Sequence, residues 1–214
     1  MEKAVKCTVA EAQWKLRTLE RSSKFQCDRQ IVLLYKARVL SYVEYRTAAI
    51  YHSTDSVLEP LNKVQDNFLK RFGVPELDAL LDPKLNLAPL QCRRDIAMLG
   101  VIHRASLKQG PEQLWEFFVL NETPQHNLTR ASEKRHTRQL KEHRKGRFLE
   151  IVRRSALGLV GVYNLLPSRI VFDPAVKGFQ TQFTQLLKEW ASSGREDWKD
   201  TFSPRVPMWK HPLR

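Results

Sequence analysis

The chain has 214 residues, enough for one domain, or for one domain with a smaller satellite, and for a substantial buried core. Hydrophobic residues make up 42% of it and charged residues 28%, while Gly and Pro number only 8 and 11, which excludes a fibrous or generally disordered protein. Lys and Arg total 36 against 23 Asp and Glu, so the formal net charge is +13.

The positive charge is concentrated in the last part of the chain. Residues 126–214 contain 18 basic and 8 acidic side chains, whereas residues 1–125 contain 18 and 15. A field of this sign attracts polyanions such as nucleic acid, although basic proteins also use such charge for solubility or assembly alone. The longest uncharged apolar stretch, 155–166, is too short to cross a bilayer, and no secretory signal is evident. We therefore expect a soluble intracellular protein without a membrane partner, and the sequence leaves open whether it is nuclear or cytoplasmic.

Helical periodicity dominates the first 120 residues. Val5, Val9 and Ala12 recur at spacings of three and four, which place them on one face of a helix. Gly73 suits the left-handed residue after a helix, and Pro75 prevents its continuation. We predict helices over 4–19, 28–52, from 56 or 60 to 72, and 89–109, with a short helix near 114–118; together they form a helical bundle-like unit over 1–120.

Residues 121–147 contain almost no large apolar side chains, so they cannot offset their own ordering entropy and are predicted to form a basic flexible linker. The apolar stretch 155–167 is either a short buried helix or an extended segment. Asp173 is predicted to be the N-cap of a further helix, with Pro174 in its first turn. The overall prediction is a mainly α fold with a smaller helical C-terminal unit over 148–193 and an irregular tail over 194–214.

Catalytic and metal-binding motifs are absent from the sequence. It contains no nucleotide-binding glycine loop, no hydrolase or metalloprotease signature, and no Asp-Asp pair of the kind that holds two magnesium ions. Cys7, Cys27 and Cys92 are too widely spaced for a zinc site or a disulfide framework. His136 lies in a basic run, and His103, a lone histidine on the predicted helix over 89–109, fits a position at the boundary between core and surface better than a metal ligand. We therefore predict no catalytic residue, no metal site and no cofactor.

The strongest signal is a basic run from Arg130 to Arg154, with ten Lys or Arg and three acidic residues. If this run is helical, Arg130, Lys134, Arg138 and Lys141 align along it. Such a stripe can follow a phosphate backbone and release condensed counterions. The alternative is a solvated linker that binds nothing. Because no base-reading chemistry is visible, any binding is expected to depend weakly on nucleic-acid sequence.

A second basic face lies on the predicted helix over 89–109, where Arg93 and Arg104 flank Ala97 and Gly100. The small residues allow close approach to a nucleic-acid backbone or to another helix, and the arginines can instead pair with acidic neighbours. The candidate nucleic-acid-binding residues are Arg93, Arg94, Arg104, Arg130, Lys134, Arg135, Arg138, Lys141, Arg144, Lys145, Arg147, Arg153 and Arg154.

Four blocks of the sequence carry a resemblance to a known family. They are LYKARVLSYVEYRTAAIYHS (34–53), LEPLNKVQDNFLKRFGV (58–74), LAPLQCRRDIAMLGVIHRA (87–105), and RSALGLVGVYNLLPSRIV with FDPAVKGFQTQF (154–183). In order and spacing they resemble the region that follows the palm in reverse transcriptases of non-LTR, LINE-type retrotransposons. The resemblance implies the thumb and post-thumb region, whose helices hold the template–primer duplex.

The family's palm motifs, including its aromatic-x-Asp-Asp box, are missing from this sequence, as is its Cys-Cys-His-Cys knuckle. The RNA-directed DNA polymerase activity of the family therefore cannot be carried over, and we expect no activity from the chain alone. The main hypothesis is sequence-tolerant binding of RNA or DNA by a fragment derived from a reverse transcriptase. Three alternatives stay open: a module that binds another protein or itself, an active polymerase whose missing palm is supplied in trans by a palm-containing partner, and a decayed remnant without a selected role.

Overall fold

The computed structural model of the chain describes residues 2–122, 136–142 and 149–214. Over these ranges the protein is mainly helical, which confirms the predicted fold class. The chain divides into two compact units, Met1–Arg94 (unit 1) and Asp95–Arg214 (unit 2), and the division falls inside a helix. The unit, linker and tail boundaries predicted from the sequence stay predictions.

Unit 1 is built from amphipathic helices whose apolar faces form one core. Val5, Val9 and Ala12 are buried, as their spacing predicts, and the ring of Tyr35 stacks on that of Phe68 with 3.9 Å between centroids. The helices are α1 (Glu2–Ser22), α2 (Asp28–Leu34), α3 (Ser41–Tyr45), α4 (Thr47–Ile50), α5 (Asp55–Arg71) and α6 (Glu76–Leu81), and α7 (Leu90–Ser106) begins in this unit.

The helix predicted over 28–52 is interrupted twice. A π-helical turn, Tyr35–Leu40, separates α2 from α3, and Arg46 separates α3 from α4 with φ −92° and ψ 2°. A π turn holds one extra residue and rotates the side chains that follow it. Both Val39 and Leu40 are buried, so this turn contributes two adjacent side chains to the core of unit 1.

Unit 2 is organised around a long helix whose Phe179 and Phe183 are buried. The stretch 155–167, for which the sequence left helix and extended chain open, contains a buried helix. Besides the rest of α7, the helices of unit 2 are α8 (Glu112–Trp115), α9 (Leu149–Arg153), α10 (Leu159–Leu165), α11 (Ser168–Val171) and α12 (Val176–Ser192).

The start of α12 differs from its prediction. The N-cap is Ala175, not Asp173, and Pro174 lies outside the helix. The Asp173 carboxylate instead accepts hydrogen bonds from the Ala175 N–H and from Gln182 Nε2, both at 2.9 Å. The carboxylate thus forms a local turn to the backbone two residues on, an arrangement that short Asp side chains favour and that competes with capping.

The tail after α12 contains two 3₁₀ helices, Glu196–Asp200 and Met208–Lys210. Phe202, which lies between them in the sequence, is buried, and its ring meets that of Phe183 edge-on with 4.6 Å between centroids. This aromatic contact attaches the tail to α12.

Candidate functional site

The two adjacent arginines of α7, Arg93 and Arg94, form contacts inside unit 1. The Arg93 guanidinium pairs through Nε with the Glu44 carboxylate on α3. Arg94 is only 5% exposed, and its Nη2 donates to Asn62 Oδ1 at 2.8 Å. Of the alternatives that the sequence left open for these arginines, the structure shows an acidic partner for Arg93, and it buries Arg94 in the interior of the unit.

Five predicted residues of unit 2 lie on or near its surface: Arg104, Arg138, Lys141, Arg153 and Arg154. Arg104 is exposed on the last turn of α7. The Arg138 guanidinium lies 4.9 Å from the centre of the Phe172 ring, and its Nη1 donates to the Val171 carbonyl at 3.4 Å. The aromatic face and the carbonyl hold the Arg138 side chain at a defined position.

Lys141 is half-exposed, with its Nζ 3.5 Å from the Glu122 carboxylate. Because an exposed pair of this kind contributes about 0–1 kcal/mol, a phosphate can replace the carboxylate at little cost.

Arg153 and Arg154 lie at the end of α9, beside Glu150. Arg153 Nη1 is 3.2 Å from a Glu150 carboxylate oxygen, and Arg154 Nε donates to the Glu150 carbonyl at 3.2 Å. Both side chains are partly exposed. The remaining candidates lie outside the described residues: Arg130, Lys134, Arg135, Arg144, Lys145 and Arg147.

Residues 136–142, the middle of the basic run, are held in unit 2 by hydrogen bonds to their backbone groups. Of the predicted linker over 121–147, only these residues and 121–122 are described. Asn164 on α10 pairs with both backbone groups of Leu140: its Nδ2 donates to the carbonyl at 2.9 Å, and its Oδ1 accepts from the N–H at 2.8 Å. Residues 136–142, which we call the anchored segment, are not helical, so the helical alignment considered for Arg138 and Lys141 does not form.

The other edge of the anchored segment pairs with the chain before it. The Asn121 N–H donates to the Gln139 carbonyl at 2.7 Å, and the Lys141 N–H donates to the Val119 carbonyl at 2.9 Å. Leu120 and Leu140 form an antiparallel bridge between the two stretches. Arg138 and Lys141 are therefore held by backbone pairing on both sides of Leu140.

Two buried histidines, His136 of the anchored segment and His103 of α7, form hydrogen bonds in the interior of unit 2. His136 Nε2 donates to the Tyr163 carbonyl at 2.9 Å, and His103 Nε2 donates to the Asp173 carbonyl at 2.8 Å. His103 Nδ1 lies 3.0 Å from the Tyr163 hydroxyl, and its ring stacks on that of Phe179. His103 is fully buried, so the boundary position predicted from the sequence is wrong.

Burial lowers the pKa of both His103 and His136, and the positive charge of Arg138 lowers them further. Burial also raises the pKa of Tyr163 to about 12. Because a carbonyl only accepts, each histidine has its proton on Nε2, and the two rings are neutral at physiological pH. These groups support the fold around the anchored segment.

Sequence reasoning missed Asn164 and the buried roles of the two histidines. Asn164 is an amide within the apolar stretch 155–166, and a polar group there needs a hydrogen-bond partner, which was a usable signal. No pattern in the sequence distinguishes His136 from its charged neighbours.

Within the described parts of the chain, no group of three or more His, Cys, Asp or Glu has an arrangement that could hold a metal ion, and the three cysteines form no disulfide. The helices in those same parts include none with the length and apolar character needed to span a membrane.

The chain was compared with protein-family models, curated proteins and solved structures, and none of the three comparisons found a match.

Proposed function

We propose that this protein binds the backbone of RNA or DNA with little sequence preference and has no catalytic activity of its own. The observation that carries the proposal is the basic run over 130–154, with ten Lys or Arg and three acidic residues, whose middle is fastened to unit 2 through Asn164. A basic segment that is already held in place loses less conformational entropy when it binds a polyanion, which favours binding.

The anchored segment contains two cations of the basic run that are available for phosphate contact. Arg138 and Lys141 lie in it, and in the sequence they are flanked by Arg130, Lys134 and Arg135 on one side and by Arg144, Lys145 and Arg147 on the other. Phosphate contacts of Lys and Arg position a protein on nucleic acid without reading its sequence. This is the reason for expecting weak sequence preference.

We further propose that the chain derives from the region after the palm of a LINE-type reverse transcriptase, and that its natural ligand is a template–primer duplex. The order and spacing of the four sequence blocks support this origin. A palm-containing polymerase is the partner that this origin suggests.

The proposal is tested by removing four cations of the basic run together, as Arg135, Arg138, Lys141 and Arg144→Ala. If these side chains contact phosphates, the slope of log affinity against log salt concentration flattens by up to about 3.6, or about 0.9 per contact on B-DNA. The measurement is a fluorescence anisotropy titration with duplex DNA over a range of salt concentrations.

A matched control removes four exposed cations of unit 1, as Arg17, Arg21, Lys24 and Arg29→Ala. Both variants lose four positive charges, so the control separates local contact from net charge. Equal slopes for the two variants would reject the basic run as the contact site.

A second candidate function is protein association through unit 1. Phe25 and Tyr45 are both 88% exposed, and Leu33 and Trp14 are more than half exposed. Contiguous apolar patches on a surface indicate interaction sites, and unit 1 supplies exposed side chains from which one could be built. Dimerisation that depends on concentration in light scattering, without affinity for polynucleotides, would favour this function over nucleic-acid binding.

A further inference from the structure

A pocket of about 230 Å³ in unit 2 combines an exposed indole ring with a cation on its wall. Leu149, Val152 and Arg153 of α9 line one part of it, and the tail contributes Pro207, Met208 and Trp209. No residue of the anchored segment lines the pocket. The indole ring of Trp209 can stack on a nucleic-acid base, and the Arg153 guanidinium can pair with a phosphate.

Trp209 is 68% exposed, more than any other tryptophan of the chain. It lies in the 3₁₀ helix Met208–Lys210, and Lys210 Nζ is 4.6 Å from the centre of its ring. An indole ring in water has an unfavourable hydration free energy that grows with its exposed apolar area. A flat partner that covers the ring removes this area from water and so binds favourably.

Two cations adjoin this aromatic surface, Arg153 on the pocket wall and Lys210 beside the indole ring. Arg153 on the pocket wall is paired with Glu150 in an exposed arrangement along α9, which is weak enough for a phosphate to displace. A stacking surface beside cations is the arrangement that binds single-stranded nucleic acid with little sequence preference.

We propose that this pocket binds an unstacked base of single-stranded nucleic acid. Trp209 stacks on the base, and Arg153 and Lys210 neutralise the adjoining phosphates. The inference rests on the proposed function and extends it, because it names a ligand that the backbone contacts of the basic run do not select. Bases inside a duplex are stacked on each other, and one must be extruded before it can reach a side chain.

The test uses the full-length chain, the variants Trp209→Ala and Trp209→Phe, and three labelled probes: oligothymidine, oligouridine and a duplex of mixed sequence. Trp209→Ala removes one base–aromatic stack, so this variant is expected to bind the two single strands about five- to 150-fold more weakly than the wild type does. Trp209→Phe keeps a ring and is expected to recover most of this loss. Duplex affinity should stay within about twofold for both variants, since the duplex offers no free base.

Trp14→Ala is the matched control, because Trp14 is 59% exposed and Lys15 Nζ lies 5.8 Å from its ring, but it belongs to unit 1. It should bind all three probes as the wild type does. Thermal unfolding of each variant, followed by circular dichroism, shows whether an affinity change accompanies a loss of folded structure.

The outcomes separate this inference from the function on which it rests. If the wild type binds none of the probes, both fail. If the wild type binds and Trp209→Ala binds single strands equally well, or loses duplex and single strands alike, the pocket is not a base site and the proposed function stands. A loss on oligouridine alone or on oligothymidine alone supports the pocket and assigns it a preference for one of these two strands, which differ in the sugar and in the C5 methyl group of the base.

Discussion

At the scale of single residues, two neutral histidines are buried in unit 2. His103 and His136 each donate from Nε2 to a backbone carbonyl, and burial lowers the pKa of both. The charged groups nearest to them include Arg138, which lowers both pKa values, and Asp173, which acts in the opposite direction on His103. Protonation of either ring would place a charge in the interior of the unit.

This arrangement predicts that acid destabilises the protein before its carboxylates titrate. In the unfolded chain both histidines titrate near a pKa of about 6.5, so below that pH the unfolded state binds more protons than the folded state. The free energy of unfolding should therefore fall as the pH drops from about 7 to about 5, by at most about 2.7 kcal/mol per pH unit for two groups.

Urea unfolding at several pH values measures this slope, and His136→Gln should reduce the part that His136 contributes. An unfolding free energy that stays constant over this pH range in the wild type would show that the two rings are not buried in their neutral forms.

At the scale of elements, the anchored segment depends on one amide of α10. Asn164→Ala removes both of its hydrogen bonds to Leu140 and leaves buried backbone groups without partners, so the free energy of unfolding should fall by about 1–3 kcal/mol. Hydrogen exchange of the Leu140 amide should accelerate in the same variant. Asn67→Ala, on the exposed side of α5, is the control and should change neither quantity. Unaltered exchange at Leu140 in Asn164→Ala would contradict the anchoring.

The helices were predictable from the sequence because they have strong periodicity and clear ends. Gly73, which follows α5, has φ +62°, and Gly194, which follows α12, has φ +75°. Both adopt the left-handed conformation that commonly follows the end of a helix. The π turn Tyr35–Leu40 was not predictable, because it depends on how the strip packs on neighbouring helices. The anchored segment was missed for a related reason: its order comes from Asn164 and from residues 119–121, which are distant in sequence.

The candidate site was only partly predictable. Charge alone identified the basic positions, but it does not distinguish Arg94, which is buried, from Arg104, which is exposed. Nor does charge reveal that Arg93 has a carboxylate partner on α3. Burial and pairing of these arginines depend on contacts between helices that are distant in sequence. The order of residues along the chain does not show those contacts.

At the scale of the whole molecule, an uneven distribution of charge is the feature on which the account depends. Net charge acts over distances of about a Debye length and draws a polyanion toward the basic part of the chain. The formal net charge is +13, and most of the excess lies in residues 126–214. Contacts made in this way depend on ionic strength more than on nucleotide sequence.

The most direct test of the central claim is the salt dependence of binding by the wild-type chain to two duplexes of unrelated sequence. With about five phosphates neutralised, log affinity should fall linearly with log salt concentration at a slope of about −4.5, and the two duplexes should give the same slope and affinity. Absence of binding at low salt, or an affinity that salt does not change, would contradict the claim that this protein binds a nucleic-acid backbone through its positive charge.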